Sequence, residues 1–562
     1  MNYKKIFFSM ICVGVLLCSS CTGFLDENPT STLPAATFFE SKKLVEAAVN
    51  NLYRNGPNNW TSPGVYNGSN LMMGGWSSGL FDNLNYKGQE FYIMYAQRFE
   101  MNPNNVDTKM QTLWNDPFIQ ISRANEVITV VPGVDLVKAA MTAADRDMYI
   151  AEARFFRAYN YLYLVRHFGD VPLMTEPQRS ADPSVLNVPR VDAKTIYDQI
   201  IIPDLQEAIK TLPVKAQYNN SGRITAPVAS AVIIDAYIQM AGFPLQDASK
   251  WAVAAAEAKK FLPGGAYASL FSLETNEDFE ELSAYNKFRS VNVQAVSPGG
   301  RRTTTCPEFI YVNEFSNISG GIAGFSQNAW TTDVNGLGPS ECLPLTNNAY
   351  KPMPRYLTMY DPAVDLRMKE NQYFAWKFEK KDGSFLVMPP DNVPTPYFYY
   401  DWGAVKQLNS SGRHFALYRL AEMYLFAAEA IAQTEGVTAQ AVDALATIRA
   451  RAYEYGKVSK ETIATQLKAL SKDQFIEQVW LERYRELVFE FKDWNMIQRT
   501  HKYPKTNAMD SSIPVGTAQF VDITTVGTDF SEGKKFSLNN LLWPIPVTQM
   551  QRNPSLTQNP GY

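Results

Sequence analysis

Histidine is close to absent from this chain: three in 562 residues, at His167, His414 and His501. A Ser–His–acid triad needs an imidazole base, and an H-E-x-x-H zinc site needs two imidazoles; no such zinc motif occurs. Cysteine is nearly as sparse, with five residues, and no second Cys or His pair stands at structural-zinc spacing from Cys18 and Cys21. Positive charge is not in excess either. The 52 Lys and Arg face 56 Asp and Glu, a net charge of −4, which offers no basic face to nucleic acid or anionic lipid. No P-loop, dinucleotide fingerprint or calcium loop is present, and no cofactor is expected. No apolar run reaches the roughly 20 residues that cross a bilayer. What is abundant is apolar residues, 46% of the chain, enough to build a large core and to exclude disorder. Length alone allows about three or four domains.

The N-terminus carries an export layout. Lys4 and Lys5 precede an apolar stretch from Ile6 to Leu17, and the small residues Ser19 and Ser20 follow. The Cys18-x-x-Cys21 pair sits at the boundary of this leader rather than in a βαβ setting, which argues against a thioredoxin-type role. The stretch resembles the bacterial lipobox, with Cys21 as the acylated residue. Leu17 stands four residues before Cys21, one further than the usual apolar position, which is occupied here by Cys18. Removal of residues 1–20 leaves Cys21, Cys306 and Cys342. The last two can form a disulfide outside the cytoplasm or remain as two buried thiols; the sequence leaves both open.

Residues 21–41 read as a lipidated N-terminus and tether. Beyond it, "KKLVEAAVNNLY" places Leu44, Ala47, Ala48 and Leu52 on one helical face. A second helix is expected in "LWNDPFIQISRANEVITVV", started at Pro117. In "RDMYIAEARFFRAYNYLYLVRHFGDVPL" the residues Ala151, Phe155, Ala158, Leu162 and Val165 form a narrow apolar stripe, closed by Gly169 and Pro172. Between about 264 and 412 helical period fades and aromatics occur singly. Periodic helices then resume, with Leu420, Tyr424, Ala427 and Ile431 repeating the four-three step. Composition and period support a mostly α, repeat-like chain and go no further, since no tetratricopeptide signature is spelled out. The expected fold class is tetratricopeptide-like helical hairpins forming a scaffold, with an irregular loop-rich lobe inserted between N- and C-terminal helical parts. The expected divisions are 42–263, 264–412 and 413–562. The proline-rich ending from Pro544 lacks helical period and should strap along the body.

Several stretches together resemble the SusD/RagB family of Bacteroidetes nutrient-binding lipoproteins. They are the Cys21 lipobox with "FLDENPTS", "AEARFFRAYNYLYLVRHFGDVPL", "YRLAEMYLFAAEAIA", "LERYRELVFEFKDW" and the closing "LWPIPVTQMQRNPSLTQNPGY". One departure is Phe491-Lys492-Asp493, where members often carry Gly then Arg. The resemblance implies a non-catalytic glycan-binding lipoprotein on the outer face of the outer membrane. Its partner would be a SusC-like TonB-dependent transporter, to which it passes oligosaccharide; the RagB branch would carry peptides instead.

Candidate ligand residues cluster at Trp76, Asp82, Asn83 and Tyr86. Flat rings there can stack on sugar C–H faces, and amide or carboxylate edges can meet hydroxyls. Trp330 is added because the resemblance implies that the irregular lobe contributes to the site. Two enzymatic alternatives remain open. Gly75-Trp76-Ser77-Ser78-Gly79 matches G-x-S-x-G, but in an Asn-rich context lacking the strand–turn–helix such an elbow needs. Glu482 and Glu486 could serve as a glycosidase acid pair, although neighbouring arginines should keep both ionised and pair them structurally. A protein-binding helical scaffold is the remaining alternative. Replacing Cys21 by alanine is expected to abolish incorporation of labelled fatty acid and to shift the chain from the membrane fraction to the soluble one.

Overall fold

The computed structural model describes residues 39–53, 68–82, 95–96, 99–179, 187–215, 222–273, 307–313, 351–370, 372–379, 384–387, 394–396, 415–453, 457–526 and 536–562. Helix α1 (Lys42–Leu52) starts at Ser41, whose hydroxyl accepts the Leu44 amide. It buries Val45, Val49 and Leu52; Ala47, expected on the inner face, is exposed. Helix α2 spans Gly68–Ser77. Helix α3 (Asp107–Val130) begins ten residues before the expected start, so Pro117 lies inside it and is buried. Proline lacks the amide for one helical bond, and burial of the apolar face outweighs that loss.

Helix α4 (Ala143–Phe168) opens with a capping box between Thr142 and Asp145 and closes at Gly169, whose φ is 71°. Its apolar stripe is far wider than expected. Every residue from Ala151 to Val165 except Arg154 is buried, because other helices cover it on several sides. Charged residues inside that shell are paired: Arg157 binds Asp204 at 2.7 Å and Asn125 at 2.9 Å, and Arg223 binds Glu152 at 2.8 Å.

Helix α5 (Ile202–Thr211) continues from a short helix, Ala193–Ile196, through a π turn. Helices α6 (Ala226–Ala241) and α7 (Lys250–Ala258) follow. Later in the chain come α8 (Leu420–Glu435), α9 (Ala439–Ala452), α10 (Lys460–Lys468), α11 (Lys472–Glu486) and α12 (Asp493–Thr500). Each helix from α3 to α7 packs on the next, α7 packs directly on α8, and α8 packs on both α9 and α11. Such nearest-neighbour stacking is the solenoid arrangement expected of tetratricopeptide-like hairpins. The small residues Ala254, Ala255, Ala258, Ala427 and Ala428 are buried on α7 and α8, which lets their backbones approach closely.

The strands are short and pair two by two. Among them, β1 (Phe81–Asp82) pairs with β5 (Lys351–Pro352), and β4 (Phe309–Asn313) pairs with β10 (Phe415–Arg419). Ser272 donates its amide to Pro307, and Leu420 donates to Glu308 at 2.8 Å. The chain that leaves the stack after α7 therefore returns beside its own point of departure.

The closing segment does strap the body, although it includes a short helix, α13 (Val547–Arg552), that its proline content did not suggest. The Trp543 amide donates to the His167 carbonyl at 2.7 Å. Asn559 Nδ2 donates to Phe168 and Trp543 carbonyls at 3.0 and 2.7 Å, while Arg190 donates to its Oδ1 at 2.6 Å. The strap thus satisfies open carbonyls at the end of α4.

The end of α11 organises the centre of the C-terminal half. Leu487 closes onto Arg483, leaving the carbonyls of Tyr484, Arg485 and Glu486 without helical donors. Three tyrosine hydroxyls supply them in register: Tyr356 to Tyr484, Tyr360 to Arg485 at 2.9 Å, and Tyr373 to Glu486 at 3.0 Å. Around this end lies a buried ion cluster. Arg367, wholly inaccessible, binds Asp365 at 2.7 Å, Glu482 at 2.9 Å and Glu486 at 3.2 Å. Arg449 and Arg485 also reach Glu482, at 2.9 and 3.3 Å. Arg451 and Arg419 reach Glu486 at 2.6 and 2.8 Å, both also pair with Glu308, and Arg419 binds Glu490 at 2.8 Å. Charge balances within the group, five guanidinium ions against five carboxyl groups. Replacing Arg367 by leucine leaves three carboxylates short of a cation, and is expected to lower the unfolding free energy by about 3–5 kcal/mol in urea titration.

Candidate functional site

The first candidate chemistry, an acid pair on α11, is fully interior: Glu482 and Glu486 have no solvent exposure. Burial would raise the Glu482 carboxyl, but Arg367, Arg449 and Arg485 hold it down at about 2. Glu486 is likewise lowered against burial by Arg451, Arg419 and Arg367. Neither can hold a proton for a leaving group near neutral pH, and neither faces a ligand. Their work is structural.

The G-x-S-x-G match fares similarly. Ser77 closes helix α2 instead of standing between a strand and a helix, and its hydroxyl is buried without a hydrogen-bond partner. Both described histidines are occupied elsewhere: His167 lies against Tyr163 and Trp543 at 4.2 Å, and His501 stacks on Phe243 at 3.7 Å.

Helix α2 is placed by close backbone approach. A Cβ at Gly74 would lie 2.8 Å from Trp494 Cβ on α12, so glycine permits α2 and α12 to touch. This contact draws the end of α2 into the core, and Trp76 goes with it. Its indole is fully buried. The expectation that Trp76 offers a stacking face to ligand is corrected here: an indole with no accessible surface acts as a packing residue. Asp82, by contrast, sits half-buried on β1, opposite Lys351 across the ladder. Burial lowers the Lys351 ammonium, and attraction to Asp82 only partly offsets it. Opposite charges at directly facing positions support the pairing. Asn83, Tyr86 and Trp330 lie outside the described residues, as do Cys21, Cys306, Cys342 and His414.

Along the strand, alternation turns Phe81 inward as Asp82 turns outward. Phe81 packs on Tyr356 and Phe489, with ring centroids 4.9 and 5.7 Å apart. Phe489 also meets Phe374 at 5.6 Å, so one ring supports two separate strands from below. Phe489 achieves this with φ of 65°, and Phe491 follows with φ of 59°. Both lie in the left-handed region, which costs a residue with a side chain about 1–2 kcal/mol. The sequence departure at Phe491 thus falls where glycine would sit without strain.

Lys351 was not found by sequence reading. Its relation to Asp82 is a pairing across nearly half the chain, and no local pattern signals it.

Two family models match the chain. One, described as the SusD family, covers residues 395–562, and the other, described as starch-binding associating with outer membrane, covers residues 23–237. A SusD-like protein of Bacteroides ovatus is 23% identical, with 99% of this chain and 98% of that protein aligned. Among solved structures, a SusD superfamily protein of Parabacteroides distasonis superposes with a TM-score of 0.72 at 24% identity, covering 93% of this chain and 99% of that one. Surface glycan-binding protein A of Bacteroides thetaiotaomicron, solved in complex with laminarihexaose, superposes with a TM-score of 0.63 at 17% identity, covering 92% and 99%.

Beneath the strand pair, burial pushes Asp493 up to about 7; its hydrogen bond from Tyr356, at 3.3 Å, offsets this only in part. Burial also raises Glu490 to about 7, and its pairing with Arg419 offsets this only in part. In the unfolded chain such carboxyls titrate near 4. At these two carboxyls the folded state therefore binds more protons between about pH 4 and pH 7, and their contribution to stability falls as pH rises through that window. The opposite contribution of His167, lowered to about 3 by burial, only partly offsets that fall. Urea midpoints are expected to drop from pH 5.5 to pH 7.5, and Asp493→Asn should remove a substantial part of that slope.

Proposed function

This chain belongs to the SusD/RagB family, and from that membership we propose that it is a non-catalytic, surface-exposed glycan-binding lipoprotein. One observation carries the reading: family likeness extends over both ends of the chain, and the stacked-helix architecture matches that of proteins solved as glycan binders. A binding role is further supported by the state of the two hydrolytic candidates, since the α11 carboxylates are locked to arginines and Ser77 is buried.

In this reading Cys21 carries the lipid, and residues 21–41 tether the module to the outer leaflet. Among the described residues no helix is long and apolar enough to cross a membrane, which agrees with attachment through acyl chains. A SusC-like TonB-dependent transporter receives the captured oligosaccharide. Tethering beside the transporter raises the effective ligand concentration, so individual contacts need only modest affinity. The ligand site draws on the β1–β5 edge at Asp82; Asn83, Tyr86 and Trp330, which lie outside the described residues, are proposed to contribute to it on the sequence reading alone. Within the 264–412 lobe, residues vary the sugar recognised while the helical parts, 42–263 and 413–562, hold it in place.

Calorimetric titration with soluble starch, laminarin and a panel of other glycans is expected to give saturable binding to at least one of them, with no change in reducing ends after prolonged incubation. Release of new reducing ends would reject the non-catalytic reading, and binding to peptides alone would move the cargo to the RagB type.

A further inference from the structure

Two separate two-stranded ladders lie side by side and together form a strip over the aromatic core. After β1 and β5 come β9 (Thr395–Pro396), lying alongside β5, and β6 (Phe374–Ala375), paired with β9. Phe374 and Ala375 are completely buried, and the Phe374 ring shares Phe489 with Phe81. The inner faces of β1 and β6 are thus seated on one ring. The next residue after β6, Trp376, emerges half-buried, its indole 6.5 Å from Phe374 and tilted by 57°.

Its backbone is fixed. Both carboxylate oxygens of Glu370 accept the Trp376 amide at 3.1 Å, and a bridge joins Glu370 to Phe374. A large ring that keeps accessible surface, on a backbone clamped by a charged acceptor, has little conformational freedom left to lose when a ligand covers it. The far end of the strip carries Asp82 and Lys351, a charged pair able to exchange hydrogen bonds with hydroxyls.

We propose that Trp376 is a ligand-contacting platform: it stacks on one sugar ring of a bound oligosaccharide whose other end meets the Asp82–Lys351 edge. This rests on the glycan-binding reading above and deepens it. Because β5 and β9 separate the two ends, the site selects a chain of several sugars over a disaccharide.

The test titrates wild type, Trp376→Ala and Trp376→Phe with laminarihexaose and maltohexaose, and with the disaccharide of whichever series binds. The expected result is roughly tenfold weaker hexaose binding by Trp376→Ala, an intermediate loss in Trp376→Phe, and a much smaller preference for hexaose over disaccharide. Thermal unfolding establishes that each variant is folded; where the alanine variant is not, the phenylalanine variant carries the comparison. Wild-type binding with undiminished affinity in the folded variant overturns the role of Trp376 and leaves the glycan reading standing. Failure of the wild type to bind either hexaose or any glycan of the wider panel overturns both.

Discussion

The end of helix α11 is where the molecule is most constrained. Its last three carbonyls and its buried glutamates cannot be hydrated, so each must find a donor inside the protein. Three tyrosine hydroxyls and five guanidinium groups provide those donors, and they come from residues 356–373, from β10, from α9 and, in Arg485, from α11 itself. The cluster is worth little as net attraction, since bringing ions out of water costs nearly what their pairing returns. Its force is selective. A misdocked segment would strand a charge in the interior, so only one arrangement of these segments is tolerable.

That constraint reaches the candidate site through a short path. Residues 487–493 leave α11, pass through two left-handed phenylalanines and enter α12, against which α2 is pressed at Gly74. The Phe489 ring then fixes the height of both β1 and β6. The position of the β1–β5 edge is therefore set by the same ionic cluster, two layers below. Strain at Phe489 is the local cost of seating one ring under two strands.

Much of the scaffold was legible in the sequence because helical period and stop signals are local. Gly169 ended α4 where expected, and the C-terminal helices fell on their four-three repeats. What failed was the count of neighbours. The stripe on α4 reads as narrow, yet helices on several sides bury nearly all of its circumference, and its buried charged residues survive there as pairs. Pro117 misled for a related reason: it looks like a helix start, but burial carries the helix through it. At the site, the polar sequence around Trp76 points to an exposed ring, whereas the indole is buried. The glycine contact with Trp494 that draws it inward joins residues more than four hundred positions apart, and no local pattern encodes it.

Because α7 rests directly on α8, the helical stack is continuous past the chain that runs between them, which is tied to it at Glu308 and at residues 356–373. Opening a longer loop between two fixed points raises the entropy cost only logarithmically, so residues can be added to or removed from that excursion with small effect on the scaffold beneath. Substitutions can then accumulate in the excursion while the helices keep their packing, provided Glu308 and the arginine and tyrosine anchors at 356–373 are left in place. Those few residues mark the limit of what can be exchanged.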